Sequence, residues 1–402
     1  MFNRFNNLGK KIRTEEEEKD TPKNVSATPT SDKEKARKKL LKIVGIISIV
    51  LIAIFLIVLV GTMLVGTNYT FDQMELELKN AAIKYYQVQD ALLPANEGEK
   101  SEVDAATLSS DEYKLMKPLS KMRKNTQCSG TVVVQKINNE YIYTPYLDCG
   151  NSYKTKELFN AVKDENKTVA SGNGLYEMNG ELVFRGDNVN NYVKLSKGLF
   201  RIIKITSENK ILLIPEFEEY YYNTWDDRYN TELGYSAGIN DYRLSRIKDT
   251  LLDIYNGNIS KFILLDETDK QKLTTYSLCV GKRGKKETNN TSEVECADKV
   301  DNQMIGLLTA SDYMNASTDA NCTATTSKSC QNYNYLKVKD SNYWLMTTSN
   351  ENTAIVYYIN NEGYIAESNA SSLSMIRPTI MLNNNVMIKG GKGTESDPFI
   401  LK

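Results

Sequence analysis

The sequence predicts an α+β protein built outward from a membrane: an N-terminal single transmembrane helix, a small helix–hairpin domain, then a larger disulfide-stapled α+β domain. Three observations carry this reading. Residues 43–65 run for 23 positions without a charged side chain. All six cysteines of the 402-residue chain follow that run, at 128, 149, 279, 296, 322 and 330. The remainder alternates short β-branched and aromatic runs with turn residues, broken by a few helical periodicities.

The apolar run comes first. At about 1.5 Å per residue it extends roughly 34 Å, enough to cross a hydrocarbon core of about 30 Å. It is too long for the apolar part of a signal peptide, and 42 residues precede it. Lys33, Lys35, Arg37, Lys38, Lys39 and Lys42 crowd its N-terminal side, whereas the first base after it is Lys79. The positive-inside rule therefore predicts a single-pass type II protein of the cell membrane, with its N-terminus cytoplasmic and its C-terminal domains extracellular. Residues 1–42, with the Glu15–Glu18 run and a Pro/Thr/Ser-rich stretch, read as a disordered basic cytoplasmic tail, its basic end against the lipid bilayer.

Composition narrows the chemistry. The chain has 50 Lys+Arg, 51 Asp+Glu and no histidine. Histidine general bases, Ser-His or Cys-His pairs and His-containing metal sites are thereby excluded. An acidic ectodomain is a poor partner for nucleic acid. The expectation is a non-enzyme without cofactor or metal.

Residues 66–157 read as a membrane-proximal α+β domain. Within residues 71–92, Leu78, Ala81, Ala82, Tyr85 and Val88 share a helical face, which Pro94 ends. Residues 131–137 and 140–147 flank Asn138-Asn139, a two-residue hairpin turn. In that register Cys128 and Cys149 face each other at a non-hydrogen-bonded position, where side chains approach most closely. Pro145 lacks an N–H and marks a place for a bulge and a register slip. For the other four cysteines, order along the chain predicts Cys279–Cys296 and Cys322–Cys330, in an oxidising compartment. Zinc and a catalytic thiol are the competing uses of these residues.

Residues 170–402 read as the outer domain. Asn179-Gly180 predicts a hairpin, as does the stretch 200–214 around residues 207–209. Asn240 or Asp241 predicts the cap of a helix with the face Leu244, Ile247, Leu251 and Ile254. Thr309 and Asp312 predict a capping box for a short helix through Ala316. Strands are expected at 353–359, 364–366, 379–382 and 386–389.

Two side-chain clusters stand out. Tyr220, Tyr221, Tyr222, Trp225, Asp226, Asp227 and Arg228, just after Glu216, Glu218 and Glu219, form the densest acidic-aromatic group. Aromatic faces stack on sugars and carboxylates orient hydroxyls, so these seven are the candidate ligand-binding residues. Lys282, Arg283, Lys285 and Lys286 form a basic tip within the Cys279–Cys296 loop, facing anionic wall polymers or lipid headgroups on the sharper reading.

Several phrases also carry a resemblance: GLYEMNGELVFRGDNVNNYV with LFRIIKI, WDDRYN and GINDYRLSRI, IGLLTASDYMNAS, NYWLMTTS, IRPTIML and GGKGTESDPFIL. Together they resemble a family of uncharacterised membrane-anchored surface proteins of low-GC Gram-positive and related gut bacteria. The resemblance implies a C-type-lectin-like outer domain related to the formylglycine-generating group. It implies structural roles for Trp344, Arg377, Pro378 and the glycine turn at 390–394, with Trp344 in the core and Arg377 bridging loops. Neither the calcium motifs of sugar-binding lectins nor a reactive cysteine pair is present. The helix-then-sheet order resembles type IV pilins in architecture, without their processing glycine and glutamate. The function expected is a non-catalytic surface binding module for an envelope or host ligand, glycan or protein. The alternative is an accessory subunit of an envelope or pilus-like assembly.

Overall fold

The computed structural model describes Lys39 and residues 68–402, apart from 138, 217–220 and 260–261. The expected transmembrane run and the tail before it, Lys39 aside, lie outside the described residues. Among the described residues no helix is long and apolar enough to cross a membrane. The described chain is α+β.

Helix α1 (Phe71–Val88) begins at a capping box. The Thr70 hydroxyl accepts from the Gln73 N–H at 3.2 Å, and the Gln73 side chain accepts from the Thr70 N–H at 2.9 Å. Its buried stripe of Met74, Leu78, Ala81, Ala82 and Tyr85 packs on a three-stranded antiparallel sheet. That sheet has the order β1 (Lys100–Asp104), β2 (Ser129–Ile137), β3 (Glu140–Asp148). Helix and sheet approach closely at Gly130, where a Cβ would stand 2.8 Å from Leu78 Cδ2. The helix ends earlier than expected. Val88 is 75% exposed, and Asp90–Leu92 forms a separate 3-10 turn before Pro94.

The β2–β3 ladder keeps one register from Ile137↔Glu140 to Ser129↔Asp148, and Cys128 is bonded to Cys149 with the Cα atoms 4.1 Å apart. No bulge forms at Pro145. It pairs with Val132 at a non-hydrogen-bonded position, so its nitrogen faces the open side of an edge strand and no ladder bond is lost. Two residues on, that open side is filled. Leu147 N–H donates to Thr155 Oγ1 and Leu147 O accepts from Thr155 N–H, both at 2.9 Å.

The rest of the chain runs in order through β4 (Lys156–Glu157), α2 (Leu158–Glu165), β5 (Gly174–Met178), β6 (Glu181–Arg185), β7 (Tyr192–Leu195), β8 (Gly198–Ile205), β9 (Ile211–Glu216) and β10 (Tyr221–Thr224). It continues with α3 (Ile247–Asn256), β11 (Tyr276–Cys279), β12 (Lys282–Arg283), β13 (Lys299–Gln303), β14 (Gly306–Leu307), α4 (Ala310–Ala316), β15 (Tyr343–Ser349) and β16 (Ile355–Ile359). The last strands are β17 (Ile365–Asn369), β18 (Leu373–Ile376), β19 (Pro378–Leu382), β20 (Met387–Gly390) and β21 (Phe399–Leu401). A ten-stranded sheet has the order β14-β19-β9-β8-β7-β21-β20-β4, with the β5–β6 hairpin joined through β8. A six-stranded sheet has the order β10-β18-β15-β16-β17, with β12 on β15, and β11–β13 is a separate ribbon.

Local chemistry explains the expected turns. Asn179 and Gly180 both take positive φ, 51° and 78°, between Met178 and Glu181, as a two-residue hairpin turn requires. Thr309 caps α4 with Asp312 in a reciprocal pair of hydrogen bonds. Helix α3 departs from expectation by starting at Ile247. Leu244 is 60% exposed, and Asp241 Oδ1 instead accepts from the Arg243 N–H to close a turn before the helix.

Buried hydrophobic side chains form two clusters, one drawn from residues 74–149 and the other from 158–399. Strand β4 crosses between them to pair with β20. Buried Glu75 on α1 accepts from the Tyr153 hydroxyl at 2.8 Å, from Thr155 Oγ1, and from Lys402 Nζ.

Candidate functional site

The acidic-aromatic segment divides by burial. Tyr220 lies outside the described residues, with Glu218 and Glu219. Tyr221 is partly buried beside the Phe262 ring, 6.5 Å away, and Tyr222 is 50% exposed on β10. Trp225 is fully buried and meets Trp344 edge-on at 6.5 Å, so it has no face open to a ligand. Trp344 is equally buried and donates its indole N–H to Asn223 O at 3.0 Å.

Asp226 is fully buried too, and both its oxygens are occupied. It accepts from the Arg228 backbone N–H at 3.0 Å, from Arg228 Nε at 3.0 Å and Nη2 at 2.6 Å, and from the Arg246 N–H at 3.0 Å. Burial pushes its pKa up, but the Arg228 guanidinium and the two N–H donors outweigh burial and hold it below the ordinary carboxylate value. Asp227 pairs with Arg246 at 2.5 Å on the surface. Asp226 and Arg228 therefore bind each other, and Asp227 is taken by Arg246 from outside the predicted set.

What this bracing presents was not read from the sequence. Tyr229 is 58% exposed and Tyr235 50%, on either side of a turn closed by the Asn230 N–H to Tyr235 O bond at 2.9 Å. Asn230 Oδ1 accepts from the Glu232 and Leu233 N–H groups, and its Nδ2 donates to Gly238 O at 2.8 Å. Gly238, at φ +80°, lies so near Asp226 that a Cβ would come within 2.0 Å of that carbonyl. Asn240 Nδ2 then donates to three carbonyls, Ser349, Asn352 and Ile355, at 2.7–3.0 Å. The signal in the sequence was the Asn-x-x-x-Gly-Tyr spacing after Tyr229, an Asx turn with a glycine exit.

The basic tip is largely engaged: of its four cations, Lys286 alone is exposed with no hydrogen bond or ion pair among the described residues. Arg283 is fully buried, ion-paired to fully buried Glu295 at 2.9 Å, and donates also to Thr325 Oγ1 and Asn289 O. Glu295 in turn accepts from Ser311 N–H, Ser311 Oγ and Thr347 Oγ1 at 2.8–3.1 Å. Lys282 donates to Asn240 Oδ1, and Lys285 pairs with Glu367 and Glu351. Arg377 is fully buried, linking Pro215 O, Leu336 O and the Glu216 carboxylate at 2.7–3.0 Å.

A cleft of about 850 Å³ lies between the ten-stranded sheet and the β11–β13 ribbon. In it Lys204 is held by Glu181 at 3.0 Å and Asp312 at 3.4 Å. Burial lowers its pKa, but the two carboxylates outweigh that and raise it, so the ammonium stays charged. The Tyr276 hydroxyl donates to Thr379 O at 3.0 Å. All six cysteines are bonded, as Cys128–Cys149, Cys279–Cys296 and Cys322–Cys330. Among the described residues no three Cys, Asp or Glu side chains gather to hold a metal ion.

No family model, no curated protein and no solved structure matches the chain.

Proposed function

We propose that this chain is a non-catalytic binding module of the cell surface, held by residues 43–65 as a single-pass type II anchor. Its outer part, read as C-type-lectin-like, recognises an envelope or host ligand, glycan or protein. The observation that carries this reading is the braced turn between Tyr229 and Tyr235. Asp226 and Arg228, just before it, bind each other, while Glu232 and both tyrosines of the turn face solvent. Rigid, exposed tyrosines give contact area at low entropic cost, the feature that suits a recognition loop. The binding set is therefore Tyr222, Tyr229 and Tyr235, with Trp225, Asp226 and Arg228 holding the loop in shape.

The accessory-subunit reading needs an apolar stripe on the juxtamembrane helix. The stripe of α1 is already covered by β2 and β3, which favours the binding module.

The experiment is a screen of the detergent-solubilised full chain against envelope and host glycans, with a Tyr229→Ser/Tyr235→Ser variant checked for native unfolding behaviour. A ligand bound by the wild type and lost in the folded variant supports the reading. Equal binding by both removes the loop from it. Topology is read separately. In sealed cells an N-terminal tag should survive added protease while the C-terminal part is accessible to it.

A further inference from the structure

Among the described residues, three arginines of the outer part are fully or almost fully buried, and nearby Lys204 is mostly buried; all but one of these four have carboxylate partners. Lys204 has Glu181 and Asp312, Arg283 has Glu295, and Arg377 has Glu216. Arg201 on β8 is the fourth. It is 5% exposed and forms no ion pair with any described carboxylate. Its Nε donates to Asn191 Oδ1 at 2.5 Å, and Asn191 is itself fixed by donating Nδ2 to Ile202 O at 2.7 Å. The guanidinium carbon stands 3.8 Å from the centre of the Tyr192 ring and 4.9 Å from that of Tyr335. These rings and the nearby Tyr192 phenol are uncharged. Glu216, an acid whose charge acts on it, is held by Arg377 at 2.7 Å. Burial depresses the pKa of the Arg201 guanidinium, as expected for a cation removed from water without a counter-charge.

The end of this side chain is not sealed in. Neither terminal nitrogen is both enclosed and unpaired, and Arg201 lines a cleft of about 460 Å³. The same cleft is lined by Asp187, Asn188, Asn190, Thr394 and Glu395. Small-ligand sites commonly span ~300–1,000 Å³. Beyond the Nε bond to Asn191 and a hydrogen bond to the Tyr192 hydroxyl, the guanidinium keeps N–H donors for a planar carboxylate.

The rim decides the charge of the ligand. Asp187 and Glu395 are exposed acids at the cleft mouth, and Glu395 has no hydrogen-bond or ion-pair partner among the described residues. They repel a dianion more strongly than a monoanion, while accepting hydrogen bonds from hydroxyls. Asn188 and Asn190 add neutral amide groups that suit hydroxyls equally well.

We infer that the Arg201 cleft is a binding site for the carboxylate of a hydroxyl-rich monoanion, of the kind an acidic sugar carries. Arg201 takes the carboxylate at the base, and the rim takes the hydroxyls. This site is independent of the Tyr229–Tyr235 loop and stands whether or not that loop binds a ligand.

The test is calorimetric titration of the full chain in detergent with glucuronate, glucose and inorganic phosphate. Glucuronate should bind with a dissociation constant in the millimolar range or tighter, glucose at least tenfold more weakly, and phosphate more weakly than glucuronate. Arg201→Met should weaken glucuronate at least tenfold. Because that residue is buried, a second variant is placed on the surface: Glu395→Gln, which should tighten glucuronate about threefold at low salt. Equal glucuronate binding in wild type and folded Arg201→Met overturns the site. Phosphate binding more tightly than glucuronate overturns the carboxylate assignment. If Arg201→Met does not fold, an unchanged or weakened affinity in Glu395→Gln overturns the proposal in its place.

Discussion

Arg283 and Arg201 are both buried on strands, and they keep opposite company. Arg283 has a carboxylate, a hydroxyl and a carbonyl around it, and its partner Glu295 is satisfied in turn by Ser311 and Thr347. Arg201 has two rings, the hydroxyl of one of them, and one amide oxygen, and no carboxylate. The first region is a closed network in which each group compensates another's desolvation. The second leaves a cation whose desolvation is only partly offset. The contrast separates a residue that holds the fold from one with hydrogen-bonding capacity left for a ligand.

The largest expected effect tests the closed side. Arg283→Met strands a buried carboxylate, and breaking a buried pair this way costs about 3–5 kcal/mol, measurable by urea unfolding. A loss near zero would mean that the network is not closed. Next is a reference lying in neither network. Replacing Cys128 and Cys149 by serine should cost roughly 3 kcal/mol, through the larger entropy of the unfolded chain.

Asp226 supplies a pH-resolved member of the closed class. Its native pKa is depressed, so the stability it confers is complete above its unfolded value of about 4 and is lost as pH falls through the native value. Asp226→Asn should cost about 1–3 kcal/mol at neutral pH, with the gap to wild type closing in acid. A gap that stays constant between pH 6 and 2.5 would contradict the paired geometry. Arg201→Met, by contrast, removes hydrogen bonds to Asn191 and the Tyr192 hydroxyl and two ring contacts, and should cost about 1 kcal/mol, with no change in the acid limb. A loss as large as that of Arg283→Met would erase the comparison. Smallest of all, Tyr229→Ser/Tyr235→Ser should leave stability within about 0.5 kcal/mol of wild type, because both rings are exposed.

Legibility followed the range of the interactions. The β2–β3 register, its disulfide and the two-residue turn at Asn179-Gly180 depend on residues close in sequence, and period-two alternation with turn chemistry fixes them. The capping box at Thr309 is equally local. Trp225 and Asp226 were misjudged because their burial depends on distant segments. Strand β10 is covered through pairing with β18, Tyr221 opposite Ile376, and Trp225 meets Trp344. An acidic-aromatic run reads the same whether it faces solvent or core. Arg283 looked like part of an exposed basic tip because nothing near it in sequence announces the parallel pairing of β12 with β15. Arg201 sits within LFRIIKI, which reads as an ordinary buried strand. Its missing counter-charge becomes visible once Glu216 is seen bound to Arg377.

Glu75 near the start of α1 and Lys402 after β21 form a clasp between distant parts of the chain. Lys402 also returns its backbone N–H to Met387 O on β20, and β21 lies between β7 and β20 inside the ten-stranded sheet. Tension arriving along α1 would therefore be shared with the interior of that sheet instead of peeling the hairpin away from one edge. Separating the first buried cluster from the second therefore requires this clasp, and not only the β4–β20 pairing, to be broken.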